Sequence, residues 1–349
     1  MKELLKTKAI NIFSKFLRRV EIQKTLEDKM QYTSTIVPQI ENLKSPYAAM
    51  AENQIDSPSE RDDIVFITSR FRSGSTLLWN LFRQTQGCTS YYEPFNERQW
   101  FNPKVRGNAV DNSHRGVDDY SAEYDGLGYL DAFYDEDWIR NKLLMTRESW
   151  APNMKAYIEG LIEHAKGRPV LQFNRIDFRL PWIKAHFPNA KIIQLYRHPR
   201  DQWCSFLTDK KLMNKDDIVR TYQDAFYLDV WCNDLAQKYP ILDKRHTPHP
   251  YQRFYYLWKL SYLHGMKYSD HNLSFEQLTQ QPEVEIKKLY ERLDIPSEQI
   301  ESLCSVIQPP QTEQWKKYAE DSWFSQLEAE CEHNLSILLN VSALQRSNS

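Results

Sequence analysis

The stretch that most constrains this chain runs from Asp62 through Ile64, Val65, Phe66, Ile67, Thr68 and Ser69 into Arg70-Phe71-Arg72-Ser73-Gly74-Ser75-Thr76. A short apolar run rich in β-branched residues reads as a buried strand, and residues 75–86 repeat apolar side chains at helical spacing. A tight loop between strand and helix aims backbone N–H groups and the positive end of the helix dipole above the sheet edge. Such a loop suits phosphate or sulfate. Gly74 permits close backbone approach, Ser73, Ser75 and Thr76 carry hydroxyls, and Arg72 is a permanent cation. The G-x-x-x-x-G-K-[ST] loop of nucleotide kinases needs a first glycine and a lysine, and both are missing here, which argues against nucleoside triphosphate chemistry with magnesium. Taken alone, the stretch also has a bland reading, a helix cap beside a solvated arginine.

A second stretch repeats the arrangement. Residues 190–196 read as a buried strand, Arg197-His198-Pro199-Arg200-Asp201 follow, and Ser205 falls in the first turns of the next helix. In an open α/β sheet ligands bind along the carboxyl ends of the strands, so two anion clamps there can grip one ligand with two separated anionic groups. His198, between them, reads as a residue that shapes the loop.

Around these anchors the chain alternates. Residues 88–92 have strand character before Glu93-Pro94, residues 152–166 read as a helix, 169–173 as a strand, 180–188 as a short helix and 271–275 as a strand. The remainder of 215–345 is largely helical, with an aromatic band over 251–268 that reads as core. This order predicts an α/β, P-loop-like nucleotide-binding fold with a central, mainly parallel sheet flanked by helices. Residues 1–60 read as an N-terminal helical extension and connecting segment, and 61–345 as a single domain. That domain carries an irregular, acidic and aromatic insertion at about 101–150, the pattern of a lid, a binding loop or a disordered segment.

Composition narrows the partners. A net charge of −2 and an estimated pI of 6.5 provide no general basic field for nucleic acid. The five cysteines are scattered without a C-x-x-C pair, which argues against a disulfide framework or a zinc site and suits a reducing compartment. With neither a membrane-spanning apolar run nor a signal peptide, the expected location is cytoplasmic. Residues 1–24 form a basic amphipathic pattern, seven Lys/Arg against two Glu, which fits either a membrane surface or packing on the chain's own domain.

The loop "RSGST" with its apolar helix, and the segment "RHPRDQWCS", resemble the sulfotransferases that use 3′-phosphoadenosine 5′-phosphosulfate (PAPS). Residues 273–295 and 313–323 resemble later segments of the same family, so the likeness covers about 62–338. It implies that Arg72, Ser73, Gly74, Ser75 and Thr76 hold the 5′-phosphosulfate and that Arg197 and Ser205 hold the 3′-phosphate. It also implies that Lys316 and Lys317 lie near the cofactor, although an exposed pair on a helix reads equally as solvated charge. There are departures. Phe71-Arg72 replaces the Pro-Lys of the hormone and phenol enzymes, Leu77 stands where their adenine-stacking tryptophan lies, and Asn174 falls at their catalytic histidine. Arg72 and Glu93-Pro94 instead resemble the carbohydrate and bacterial sulfotransferases.

The resemblance implies in-line transfer of a sulfuryl group to an acceptor hydroxyl, on a carbohydrate or glycolipid, without a metal. Arg72 then acts as an electrostatic clamp, because arginine cannot give up its proton. The acceptor hydroxyl must lose its proton, and neither Arg72 nor Asn174 can take it. Glu93 is the expected general base, since a right-handed crossover puts residues 69–74 and Glu93 on one sheet edge. Its plainer reading is a residue that merely ends a strand before Pro94, or one that pairs with Arg98 on the surface. A P-loop-like nucleotide kinase and a catalytically silent nucleotide-binding module are the competing classes.

Overall fold

Strand β1 (Val65–Ser69) is buried along its whole length. Its apolar residues face helices on both sides, as a central parallel strand requires. Helix α1 (Ser75–Gln84) returns the chain to β2 (Cys88–Tyr92), and β3 (Arg168–Phe173), β4 (Lys191–Tyr196) and β5 (His271–Ser274) complete the sheet. The strand order is β2-β3-β1-β4-β5, with every pair parallel and Val65 opposite both Val170 and Lys191. The expected α/β architecture is therefore present. Each expected strand lies within a residue or two of an observed one. However, β1 and β2 do not pair, because β3 lies between them.

The computed structural model describes residues 61–296, 298–305, 307 and 313–347, with side chains up to 339. The helix expected over 1–24 and the connecting segment over 31–60 lie outside the described residues. Among the described residues no helix is long and apolar enough to cross a membrane.

Alternation along each strand divides the core. Phe66, Leu171 and Ile192 face one side, where α2 (Pro152–His164) and α3 (Leu180–His186) supply Tyr157, Ile158 and Trp182. Val65, Ile67, Val170 and Ile193 face the other, against Leu78, Leu81 and Phe82 of α1. Truncating Phe66 to Ala would open a cavity costing about 3–5 kcal/mol. A third apolar cluster joins α4 (Pro199–Phe206), α5 (Pro250–Tyr268) and α6 (Asp321–Ser347) through Trp203, Tyr251, Phe254 and Phe324. The aromatic band of 251–268 is thus core, as expected.

The insertion at 101–150 has little regular structure, only short 3₁₀ turns such as Gly128–Ala132 and the brief helix Asp137–Arg140. It is nonetheless packed: Phe101, Tyr120, Tyr124, Leu127, Leu130 and Trp138 are buried in one cluster with residues of β2 and α2. The connection from β1 leaves toward β2 and that from β4 leaves toward β5, on opposite sides. The crevice beyond the carboxyl ends of β1 and β4 is therefore the topological switch point of the sheet.

Candidate active site

The loop after β1 turns sharply, with Arg72 at φ 66° and Gly74 at φ 91°. A left-handed non-glycine residue stores strain of the kind found at binding loops. Gly74 has a second constraint: a Cβ there would lie 2.2 Å from the ring of Phe275. The first-turn N–H groups of Ser75 and Thr76 have no intrahelical acceptor by position, so they face the crevice as donors.

The loop after β4 brings the second cation alongside. Arg197 donates from Nη1 to the Arg72 carbonyl (3.2 Å), its guanidinium lies 4.8 Å from the Phe275 ring centre, and its own carbonyl accepts from Trp258 Nε1 (3.0 Å). Arg72 Nε donates to the Ser205 hydroxyl and carbonyl, each at 3.1 Å. The loops after β1 and β4 therefore meet. Burial pushes the Arg197 guanidinium below the usual arginine range, while nearby Asp201 and Glu276 work upward. Its Nε is buried and, among the described residues, has no hydrogen-bond partner. A desolvated cation with a spare donor is what an incoming phosphate or sulfate would complete.

Glu93 ends β2 at φ 39°, and its carboxylate is almost fully enclosed. Asn174 Nδ2 donates to Oε1, while Asn96 Nδ2 (2.9 Å) and Arg175 Nη1 (3.0 Å) donate to Oε2. Asn174 in turn accepts from the Ser69 hydroxyl (2.8 Å), so the ends of β1, β3 and β2 are linked through one amide. The partner of Glu93 is Arg175 and not Arg98, which donates to the Ala109 carbonyl.

Arg72, Gly74, Ser75, Thr76, Glu93, Arg197 and Ser205 all line one cleft of about 810 Å³. That volume lies within the range of small-molecule sites, about 300–1,000 Å³. Three expected residues are placed differently. The Ser73 hydroxyl faces away from the cleft into a small chamber with Thr68, Gln194 and Gln202, because alternation through the turn puts it beneath the loop. Lys316 and Lys317 lie on an exposed 3₁₀ turn, where Lys316 pairs with Glu313 (2.7 Å) and Lys317 Nζ donates to Gln314 (3.4 Å). Neither reaches the cleft, because the tryptophan between them and α4, Trp315, anchors that turn against Arg200 instead. His198 is exposed and its N–H donates to Glu276 (2.9 Å), which supports its reading as a loop-shaping residue.

The Sulfotransferase family model matches residues 64–299, more than half of the chain. The chain belongs to the sulfotransferase family. The activity class expected from its motifs, a PAPS-dependent sulfotransferase, stands with that family. Solved structures similar to this sulfotransferase include STF9 from Mycobacterium avium, 15% identical over 81% of this chain and 79% of that one, with a TM-score of 0.42. A sulfotransferase from Alicyclobacillus acidocaldarius is 14% identical over 80% and 95%, with a TM-score of 0.38. Retinol dehydratase in complex with androsterone and inactive cofactor PAP is 15% identical over 83% and 85%, with a TM-score of 0.35. No curated protein matches the chain by sequence.

Several cleft residues of this sulfotransferase gave no usable sequence signal. Arg175 follows Asn174 directly, yet its pairing with Glu93 (3.0 Å) and Glu97 (2.8 Å) is a long-range contact. Asp111 and His114 come from the irregular insertion and reach Arg72 (4.0 Å) and Thr76 (3.3 Å). Phe71, Phe226 and Tyr227 form an aromatic wall beneath the Arg175 guanidinium. Only the loop position of Phe71 was visible beforehand.

Proposed function

We propose that this enzyme holds PAPS across the carboxyl ends of β1 and β4 and passes its sulfuryl group to a hydroxyl of a carbohydrate or glycolipid, with Glu93 accepting the hydroxyl proton. The observation that carries this reading is the convergence of Arg72, Arg197 and Ser205 with the Glu93 carboxylate on one cleft. Bound PAPS supplies the sulfuryl group in an activated phosphosulfate linkage.

Each residue then has a task. Arg197 and Ser205 grip the 3′-phosphate, and Arg72 with the Ser75 and Thr76 N–H groups and hydroxyls grips the phosphosulfate. Gly74 lets the backbone approach, and Ser73 serves through the turn it occupies. Arg72 neutralises negative charge that grows on the leaving side, a task for a fixed cation already in place. Glu93 is oriented by three donors, whereas a carboxylate has about four acceptor sites, which leaves room for one acceptor hydroxyl. Arg72 and Arg197 supply the positive charge, so the scheme is written without a metal ion.

The acceptor class rests on the aromatic lining that begins in the loop itself. Phe71, Phe226 and Tyr227 offer flat apolar faces next to the polar Asn96, Glu97 and Arg98, a combination suited to the faces and hydroxyls of a sugar ring. A cytoplasmic setting is supported by five free cysteines, and the basic pattern of 1–24 supports contact with a membrane surface that carries a glycolipid acceptor.

Turnover of radiolabelled PAPS against panels of saccharides, glycolipids and phenols tests the proposal. Sulfation of saccharides or glycolipids is the expected result, and turnover confined to phenols sinks the acceptor assignment. In a parallel thermal-shift comparison, adenosine 3′,5′-bisphosphate (PAP) should stabilise the protein more than ATP with magnesium. Equal stabilisation by the two would favour a kinase.

A further inference from the structure

The insertion delivers a histidine to the mouth of the loop after β1, and both of its ring nitrogens have a hydroxyl partner. The stretch around His114 is pinned to α1: Asn80 Nδ2 donates to the Gly116 carbonyl (3.2 Å), and Arg83 donates to the Asp119 carbonyl (2.7 Å) and carboxylate (2.9 Å). From there Tyr120 stacks on Tyr92, with ring centres 4.5 Å apart. The His114 ring sits edge-on to both tyrosines. His114 lines the cleft, with Nε2 3.3 Å from the Thr76 hydroxyl and Nδ1 2.5 Å from the Tyr120 hydroxyl.

One tautomer uses every partner around the ring. The Tyr120 hydroxyl accepts the Asp111 backbone N–H (3.0 Å) and has its own proton to give to Nδ1. The neutral ring then carries its hydrogen on Nε2, directed at Thr76, the hydroxyl that opens α1 beside the loop N–H groups. The charged and titratable groups facing this ring are Asp111 and Tyr120 from its own segment, Tyr92 from β2 and Arg72 from the loop; from α1 only the uncharged Thr76 reaches it. Burial holds His114 below the usual imidazole range, with Asp111 working upward and Arg72 downward.

We propose that His114 is a further contact of the phosphosulfate group, turning its Nε2–H from Thr76 to the bound anion and taking up a solvent proton on Nδ1 as that anion arrives. The Tyr120 hydroxyl then changes from donor to acceptor, so no hydrogen bond at Nδ1 is lost. The inference rests on the PAPS reading of the cleft. Cofactor binding becomes coupled to pH through this residue. Its pKa is higher in the complex than in the free protein, so affinity is greatest below the free value and falls as pH rises through the bound value.

The test is calorimetric titration of the full chain with PAP at several pH values, in buffers of different ionisation enthalpy, comparing wild type with His114→Gln. Wild type should take up more protons per PAP than the variant, the difference approaching one. Its affinity should fall with rising pH by up to about tenfold per pH unit more steeply than the variant's. In wild type itself the ¹³C-labelled His114 ring resonance should move to its protonated position when PAP is added. Identical proton uptake in the two proteins, or an unmoved resonance while PAP binds, overturns the inference alone. Failure of wild type to bind PAP at any pH overturns the nucleotide reading together with it.

Discussion

The two sides of the cleft are built in opposite ways. On the β1–β4 side the cations stand short of counter-charge: Arg197 makes no ion pair among the described residues, and the carboxylate nearest Arg72 is that of Asp111, at 4.0 Å. On the β2–β3 side the charge is already matched. Glu93 and Arg175 pair at 3.0 Å with side chains 5% and 2% exposed, and Asn174 and Asn96 also donate to the carboxylate. An unmatched, partly desolvated cation gains by binding an anion, whereas a paired carboxylate already held by three donors gains nothing by moving. One side carries charge still to be matched and the other holds its carboxylate still.

Four substitutions break or sharpen this contrast. The largest effect is expected from Glu93→Gln, which removes the proton acceptor but keeps its shape. Turnover should fall about 10²–10⁴-fold while PAP affinity stays near wild type, and turnover at the wild-type rate would dismiss Glu93 as the base. Arg72→Ala comes next, with kcat expected to drop about 10²–10³-fold through lost charge stabilisation. Arg197→Ala should act mainly on binding, weakening PAP by about 1.5–3 kcal/mol, roughly one to two orders of magnitude in Kd by calorimetry. Should Arg197→Ala impair kcat and Arg72→Ala impair Kd, the two clamps have been assigned the wrong way round. Asp111→Asn should have the smallest effect. Removing an exposed counter-charge from Arg72 should tighten PAP by about 0.2–1 kcal/mol, and the gain should shrink in high salt.

The same contrast explains what could be read in advance. The receiving side follows from short-range patterns: an apolar strand, a turn with Gly74, a helix start, and the same grammar again at Arg197 and Ser205. Glu93 was within reach because a parallel sheet sends all its strand ends to one edge. Arg175, Asp111 and His114 were not, because each acts across the fold and two of them sit in a segment with no helical or strand period. The aromatic residues of that segment bury it against the sheet all the same, and no periodicity marks which of its polar side chains will then face the cleft. Lys316 and Lys317 show the reverse case: a family resemblance implies a place near the cofactor, while both lie on an exposed turn with local partners.

Phe275 fills the space that a side chain at Gly74 would take and underlies Arg197, and it directly follows β5 in sequence. The loop after β1 is therefore closed by a side chain that arrives with the edge strand of the sheet, so its shape belongs to the whole sheet and not to its own sequence alone.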